Sequence, residues 1–333
     1  MKLIWATLTT SLLLAASPAA AAPCPTNCGH RGTGKSSADA PFPENTIPSV
    51  EQAVAEGAEQ VEIDVTHSGD GVLVAIHDDT VDRTTNGTGC VGEMTVAELQ
   101  ALDAGVGTAM EGQGVVIPTL AEVLAAVQVP LNVEIKTDGP GTCPALDKTQ
   151  MAADLLSEVA AAGAGDRVVA SSFDEEVLVE LKALDPTFYV GLLTSSPSNA
   201  QLAADLGFDA LNLRANAVDE AMVTTVRELG LELNVWTEND PARMEELVAL
   251  EVDSIITDEP DLYAAVQVAS CPDPSASGGG GAGGDPGAGG GGNGASNEDE
   301  GGCALSSPSR PIPPWSLGAA FLAVALLARR RRR

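Results

Sequence analysis

Two carboxylates stand two residues apart in VEIDV, at Glu62 and Asp64, and a third, Glu134, stands two residues before Lys136 in VEIK. Residues two apart in a strand share a face, so Glu62 lies with Asp64, and Glu134 with Lys136. Acids on the inward face of a strand are costly unless paired or bound to a cation. Three of them make an all-oxygen donor set of the kind that hard divalent ions, Ca²⁺ or Mg²⁺, take. Arg31 and Lys136 would add fixed positive charge beside that ion, the usual means of holding a phosphate and stabilising charge as it is transferred. His30 and His77 offer a proton acceptor and a proton donor near neutral pH. Trp236, near the end of LELNVWT, joins Arg31 and Lys136 as a candidate substrate-binding residue. The set spells metal-assisted cleavage of a phosphoester. The third histidine, His67, falls in THSGDG and reads as a solvated loop residue rather than a ligand.

Such a set needs a scaffold that brings distant strand ends together. Strands are expected at 27–30, 60–66, 131–137, 167–172, 188–194, 209–213, 231–237 and 253–258. Amphipathic helical segments separate most of them, among them 149–162, 175–184, 219–229 and 240–249. Eight β units alternating with helices predict an α/β fold, a (β/α)8 TIM barrel. The segment 72–118 interrupts the alternation after strand 2 and carries a short strand, VLVAIHD, ending on His77 and Asp78. In such a barrel the chemistry sits at the C-terminal ends of the strands, where an insertion after a strand also lands.

One motif points elsewhere. Gly29 to Ser36 reads G-x-x-x-x-G-K-S, the phosphate-binding loop of nucleotide hydrolases. That loop needs a hydrophobic strand before it and a helix opening at the lysine. Here PCPTN precedes it, and Pro41 and Pro43 follow too closely for an immediate helix. No nucleotide is expected as a ligand, and Lys35 is expected to lie in solvent.

The motifs GHRG at 29–32, PENT at 43–46, VEIDV at 61–65, IHDDTVDRTTNGTG at 76–89, VEIK at 133–136 and VWTEND…VDSIITDEP together resemble the glycerophosphodiester phosphodiesterase family. The resemblance runs over nearly all of 28–266. It implies a (β/α)8 barrel that hydrolyses glycerophosphodiesters to glycerol 3-phosphate and an alcohol with a divalent metal. Carried over by motif, His30 and His77 become the acid/base pair and Glu62, Asp64 and Glu134 the metal ligands. Glu44 of PENT is placed near the metal or substrate. The ten residues 33–42, TGKSSADAPF, depart from the family pattern and are expected to reshape the substrate entrance. Two other readings use the same barrel: a related phospholipase acting on phosphatidylinositol or sphingomyelin, and a displayed binding module without catalysis. The complete set of histidines and acids argues against the second.

The ends carry separate messages. Residues 1–22 have one early charge, Lys2, an apolar run and an Ala-rich exit, the pattern of a secretory signal peptide. Residues 23–272 are long enough for one large core. Residues 273–302 are dominated by Gly and read as a disordered linker. Residues 303–333 hold Cys303, the apolar run 315–328 and a terminal run of five arginines, 329–333. That run is short of the roughly 20 residues that span a bilayer. The arrangement resembles the C-terminal cell-surface sorting signals of myxobacteria, and implies an exported protein held at the cell envelope by this segment only. The formal net charge of −30 argues against nucleic acid and anionic membrane surfaces as partners of the barrel; the expected partner is a small-molecule phosphodiester. Export permits disulfides. Cys24 and Cys271 should both lie at the bottom of the barrel, and Cys90 and Cys143 at the top, so each pair is positioned to bond. Cys28 reads as a buried thiol. Sequence leaves this connectivity open.

Overall fold

The computed structural model describes residues 24–137 and 143–271; the expected signal peptide, linker and sorting segment lie outside them. Within these residues the chain runs β1 (Thr26–His30), α1 (Ile47–Ala55), β2 (Gln60–His67), β3 (Leu73–Ala75), α2 (Val96–Leu99), α3 (Leu120–Ala126), β4 (Leu131–Ile135), α4 (Lys148–Ala161), β5 (Val168–Ser172), α5 (Glu175–Leu184), β6 (Val190–Thr194), α6 (Ala200–Asp205), β7 (Ala210–Arg214), α7 (Glu220–Glu228), β8 (Glu232–Trp236), α8 (Pro241–Ala249), β9 (Ser254–Thr257) and α9 (Pro260–Ser270). Eight parallel strands follow the order β1-β9-β8-β7-β6-β5-β4-β2, and pairing of β1 with β2 closes them into a (β/α)8 barrel. No helix of the described residues is long and apolar enough to cross a membrane.

The strands alternate as a barrel wall must. In β2, Val61, Ile63 and Val65 face the helices and are fully buried, while Glu62 and Asp64 face the interior. In β4, Leu131, Val133 and Ile135 do the same, with Asn132 and Glu134 inward. Register then sets the neighbours. Asp64 is level with Glu134 across β2 and β4, and His30 is level with Glu62 across β1 and β2.

β3 lies antiparallel on β2, Val65 pairing with Ile135 on one side and Ala75 on the other. The expected strand over 72–78 stops at Ala75, so His77 and Asp78 stand beyond it in a loop. Ile76 N–H still donates to Asp64 O at 3.0 Å, and beyond it the edge of β2 from Gln60 to Glu62 is taken by β1, so the chain turns away. The chain from Ile76 to Ile117 packs a small core of its own around Val81, Val91, Leu99 and Val115. Thr95 and Thr119 each form a reciprocal capping box, with Glu98 and Glu122, at the start of α2 and α3.

Two disulfides form, Cys24–Cys271 and Cys90–Cys143, and Cys28 is a buried free thiol. The first closes a loop with a sequence separation of 247 residues. On a chain-entropy account its loss removes about 5 kcal/mol of stability. Cys24→Ser is therefore expected to lower the urea midpoint sharply and to steepen the transition as the uncrosslinked denatured chain expands; an unaltered midpoint would contradict the account.

Candidate active site

The strand ends hold a polar cluster around a cavity of about 340 Å³ that His30, Arg31, Glu134, Lys136, Phe173 and Trp236 help to line. Its floor is the acid trio. One oxygen from each of Glu62, Asp64 and Glu134 lies within 4.8 Å of the others, and the three residues are 3%, 0% and 7% exposed. Burial, and next the charges of Asp64 and Glu134, pushes Glu62 well above the usual carboxylate range. Burial, with Asp64 beside it, pushes Glu134 up to about 7. Burial would raise Asp64 as well, but Lys136 and Arg31 hold it below its ordinary value. Lys136 lies 3.1 Å from Asp64 Oδ1 and also bonds Glu134 Oε1. Glu62 Oε1 is buried with no hydrogen-bond partner. Three crowded carboxylates, two with raised pKa values and one with an orphaned oxygen, are chemically fitted to a divalent cation.

The backbone turns sharply to build this floor. Arg31 and Asn45 both adopt the left-handed region, with φ of 56° and 59°, a conformation a non-glycine residue holds only when its surroundings impose it. Arg31 N–H donates to Glu62 Oε2 at 2.8 Å and Asn45 N–H to Arg31 O at 3.0 Å. Asn45 in turn clamps Asp64, its Nδ2 donating to Oδ2 at 2.8 Å and its Oδ1 accepting from the Asp64 N–H at 2.9 Å. Gly32, at φ +90°, has room for no side chain, because a Cβ there would sit 2.3 Å from Ser49 Oγ.

Each histidine carries a carboxylate. His30 Nδ1 bonds Asp258 Oδ1 at 2.6 Å, and Arg31 Nε donates to His30 Nε2 at 3.2 Å. With Nε2 accepting from Arg31, the Nδ1–H donates to Asp258, and the single Nε2 lone pair is engaged by the guanidinium rather than open to the mouth. His77 Nδ1 bonds Asp78 Oδ1 at 2.7 Å. Asp78 is held by Arg83, whose Nε donates to Oδ2 at 2.6 Å. His77 and then Arg83 keep Asp78 below its ordinary pKa.

The expected site residues meet here, with three differences of placement. Glu44 does not line the cavity. It is 5% exposed, and its oxygens accept from Arg31 Nη1 at 2.8 Å, from Arg83 Nη1 and Nη2 at 2.8 Å each, and from the Ser36 N–H at 2.8 Å. It is a strut between two guanidinium groups. Arg31 itself is largely committed to protein acceptors, Nη1 to Glu44 and Nε to His30 and Asp64. His67 is not solvated: it ends β2 on the outward parity, is 7% exposed and lies 3.1 Å from Asp154 of α4. Burial lowers its pKa despite that neighbour.

Sequence reasoning missed Asp258, Asn45, Arg83 and Phe173. Phe173, directly after β5, meets Trp236 edge-on with ring centroids 5.3 Å apart and is 49% exposed, an apolar wall open to a ligand. In the G-x-x-x-x-G-K-S stretch, Gly29 lies inside β1 and the first helix begins only at Ile47. Lys35 is exposed as expected but lines the cavity.

Known proteins resemble this chain in sequence and fold. The chain is 34% identical over 238 residues to a glycerophosphodiester phosphodiesterase of Caldanaerobacter subterraneus subsp. tengcongensis, covering 70% of this chain and 93% of that one. It is 31% identical over 257 residues to the glycerophosphodiester phosphodiesterase of Bacillus subtilis, covering 72% and 85%. Among solved structures it resembles an Oleispira antarctica phosphodiesterase in complex with the product sn-glycerol-3-phosphate, with 29% identity, a TM-score of 0.65 and coverage of 73% and 96%. The glycerophosphoryl diester phosphodiesterase family matches residues 30–262. On these grounds the chain belongs to the glycerophosphoryl diester phosphodiesterase family.

Proposed function

We propose that this protein is a divalent-metal-dependent hydrolase that cleaves glycerophosphodiesters to glycerol 3-phosphate and an alcohol. The observation that carries the reading is the buried Glu62, Asp64 and Glu134 trio beneath a cavity lined by both His30 and His77. Glu62, Asp64 and Glu134 would hold Ca²⁺ or Mg²⁺, which when bound supplies positive charge to the phosphoryl oxygens. Arg31 and Lys136 orient the phosphodiester against the trio, and Phe173 and Trp236 form the wall along which its carbon arms lie. Once the phosphodiester draws the Arg31 Nε–H away from it, His30 Nε2 takes the proton of the attacking hydroxyl, either of water or of the substrate's own glycerol, the cyclic phosphate of the second route being opened by water afterwards. Asp258 fixes the ring and stabilises the imidazolium that results. The bond from phosphorus to the alcohol oxygen breaks, and His77 gives that oxygen its proton. Glu44 and Arg83 hold the site together from behind. The signal-like start and the Arg-ended C-terminal segment support export and retention at the cell envelope, with membrane attachment through that segment alone.

Purified protein supplied with glycerophosphocholine, glycerophosphoethanolamine and glycerophosphoinositol is expected to release glycerol 3-phosphate from at least one of them, read by a coupled dehydrogenase. Failure with all three, in buffers containing Ca²⁺ and in buffers containing Mg²⁺, would overturn the reading. Cleavage of intact phosphatidylinositol at a comparable rate would move the assignment to the phospholipases.

A further inference from the structure

The described residues contain ten lysines and arginines. Seven pair with carboxylates, and Arg167 donates to backbone carbonyls. Lys35 and Arg214 alone among them make neither an ion pair nor a hydrogen bond within the described residues, and both are exposed. In a chain of net charge −30 this is not for want of acids. Trp236 is the residue they have in common. Lys35 lines the cavity together with Trp236 and Asp258. Arg214 ends β7, beside Trp236 in the sheet register, with its guanidinium carbon 5.9 Å from the centroid of the Trp236 ring.

Lys35 does not hang on a loose loop. Gly34, at φ +89°, packs so closely on Asp258 that a Cβ would come within 2.6 Å of the Asp258 Cβ. Ser36 is tied to Glu44 in both directions, its N–H donating at 2.8 Å and its Oγ accepting from the Glu44 N–H at 2.9 Å. The residue between these two anchors is thereby held at the rim.

From this placement we propose that Lys35 and Arg214 form a subsite for an anionic group on the leaving alcohol, so that the enzyme favours glycerophosphodiesters whose alcohol carries a phosphate or carboxylate. The inference rests on the diesterase reading above. The glycerol arm of such a substrate is neutral, so a second negative charge can come only from the alcohol arm. The primary phosphate is met deeper in the cavity by Arg31 and Lys136, whose charge is already balanced by the acids around them. An anion at the rim meets two cations with no competing partner.

Matched substrates isolate the effect. Glycerophosphoinositol 4-phosphate against glycerophosphoinositol adds one phosphate; glycerophosphoserine against glycerophosphoethanolamine adds one carboxylate. The wild type is expected to show a kcat/KM ratio of about 5 for at least one pair, the scale of two exposed ion pairs, falling as salt is raised. Lys35→Ala and Arg214→Ala should each lower that ratio, Lys35→Glu should bring it below one, and Lys35→Arg should preserve it. Ratios near one in the wild type for both pairs, or a ratio indifferent to Lys35→Glu, would overturn the subsite. Should no substrate of either pair be cleaved, the diesterase reading falls separately. Calorimetry with inositol 1,4-bisphosphate against inositol 1-phosphate then reads the rim without turnover: equal affinities, or a difference retained in Lys35→Glu, would overturn it, and a difference lost there would support it.

Discussion

Replacing His30 with alanine is expected to lower kcat by about 10²- to 10⁴-fold, the usual worth of a positioned general base, with little change in KM. His30 sits where β1 ends, level with Glu62, and its ring is fixed on both sides by Asp258 and Arg31. The choice of leaving group separates its role from that of His77. A p-nitrophenol ester of glycerol phosphate expels a stable phenolate that needs no proton. On that substrate His77→Ala should recover most of the rate it loses on an alkyl alcohol, whereas His30→Ala should remain impaired on both. Equal recovery in the two variants would reverse or abolish the assignment. Asp258→Asn keeps the shape but removes the charge that stabilises the imidazolium, so kcat should fall by less than in His30→Ala with KM held. His67→Ala serves as the control: it empties a buried site against α4 and should lower the melting temperature while leaving kcat near wild type.

Removal of the divalent ion is expected to abolish turnover and to change stability in a pH-dependent way. In the metal-free protein the Glu134 carboxyl rises from its ordinary 4.5 to about 7. A raised folded pKa contributes stability that is fully present below the unfolded value and lost as pH climbs through the folded one. Between about pH 4.5 and 7 the metal-free protein should therefore lose on the order of 3 kcal/mol, at about 1.4 kcal/mol per unit. Glu62, raised in the same direction, adds to the trend. Binding a cation requires the carboxylates ionised and reverses that loss. The gap in melting temperature between loaded and chelated protein should thus widen from pH 5 to pH 8. Glu62→Gln removes one of the repelling charges, so the chelated variant should melt above chelated wild type at pH 8 and gain little from Ca²⁺ or Mg²⁺. A gap independent of pH, or full metal stabilisation in the variant, would remove the trio as the ligand set.

The parts of the site legible in sequence were those that strand geometry places by itself. Parity aligned Glu62 with Asp64 and Glu134 with Lys136, and helical periodicity between the strands implied a barrel that gathers their ends. The same parity carried further than it was read. Counting on from Asp64 puts His67 on the outward face, where it meets Asp154 of α4, but the Ser-Gly-Asp-Gly that follows drew it into a turn. What stayed hidden was pairing across long separations. Asp258 shares no local pattern with His30, and only closure of β1 on β9 brings them together. Arg83 lies 39 residues from Glu44, in a segment whose course depends on its own small core. Phe173 reads as one more apolar residue until the end of β5 turns it out of the wall. The exposure of Lys35 follows from its Gly/Ser-rich loop, but its place at the rim does not, because the anchors beside it, Asp258 and Glu44, are tertiary.

The bond between His30 and Asp258 spans 228 residues, and it has a consequence for a chain made from its N-terminus. All three acids and both histidines have been synthesised once Glu134 is complete, well before half of the described barrel's helices exist. The carboxylate that orients His30 arrives only with the residue after β9. The strand that delivers it is also the one that closes the barrel against β1, a non-local pairing of the kind that forms late. A nascent or truncated chain can therefore hold all three acids and still lack an aligned His30 ring. On the roles proposed above, hydrolysis at full rate waits for the last strand to dock, so the rise of turnover during synthesis or refolding is expected to mark barrel closure.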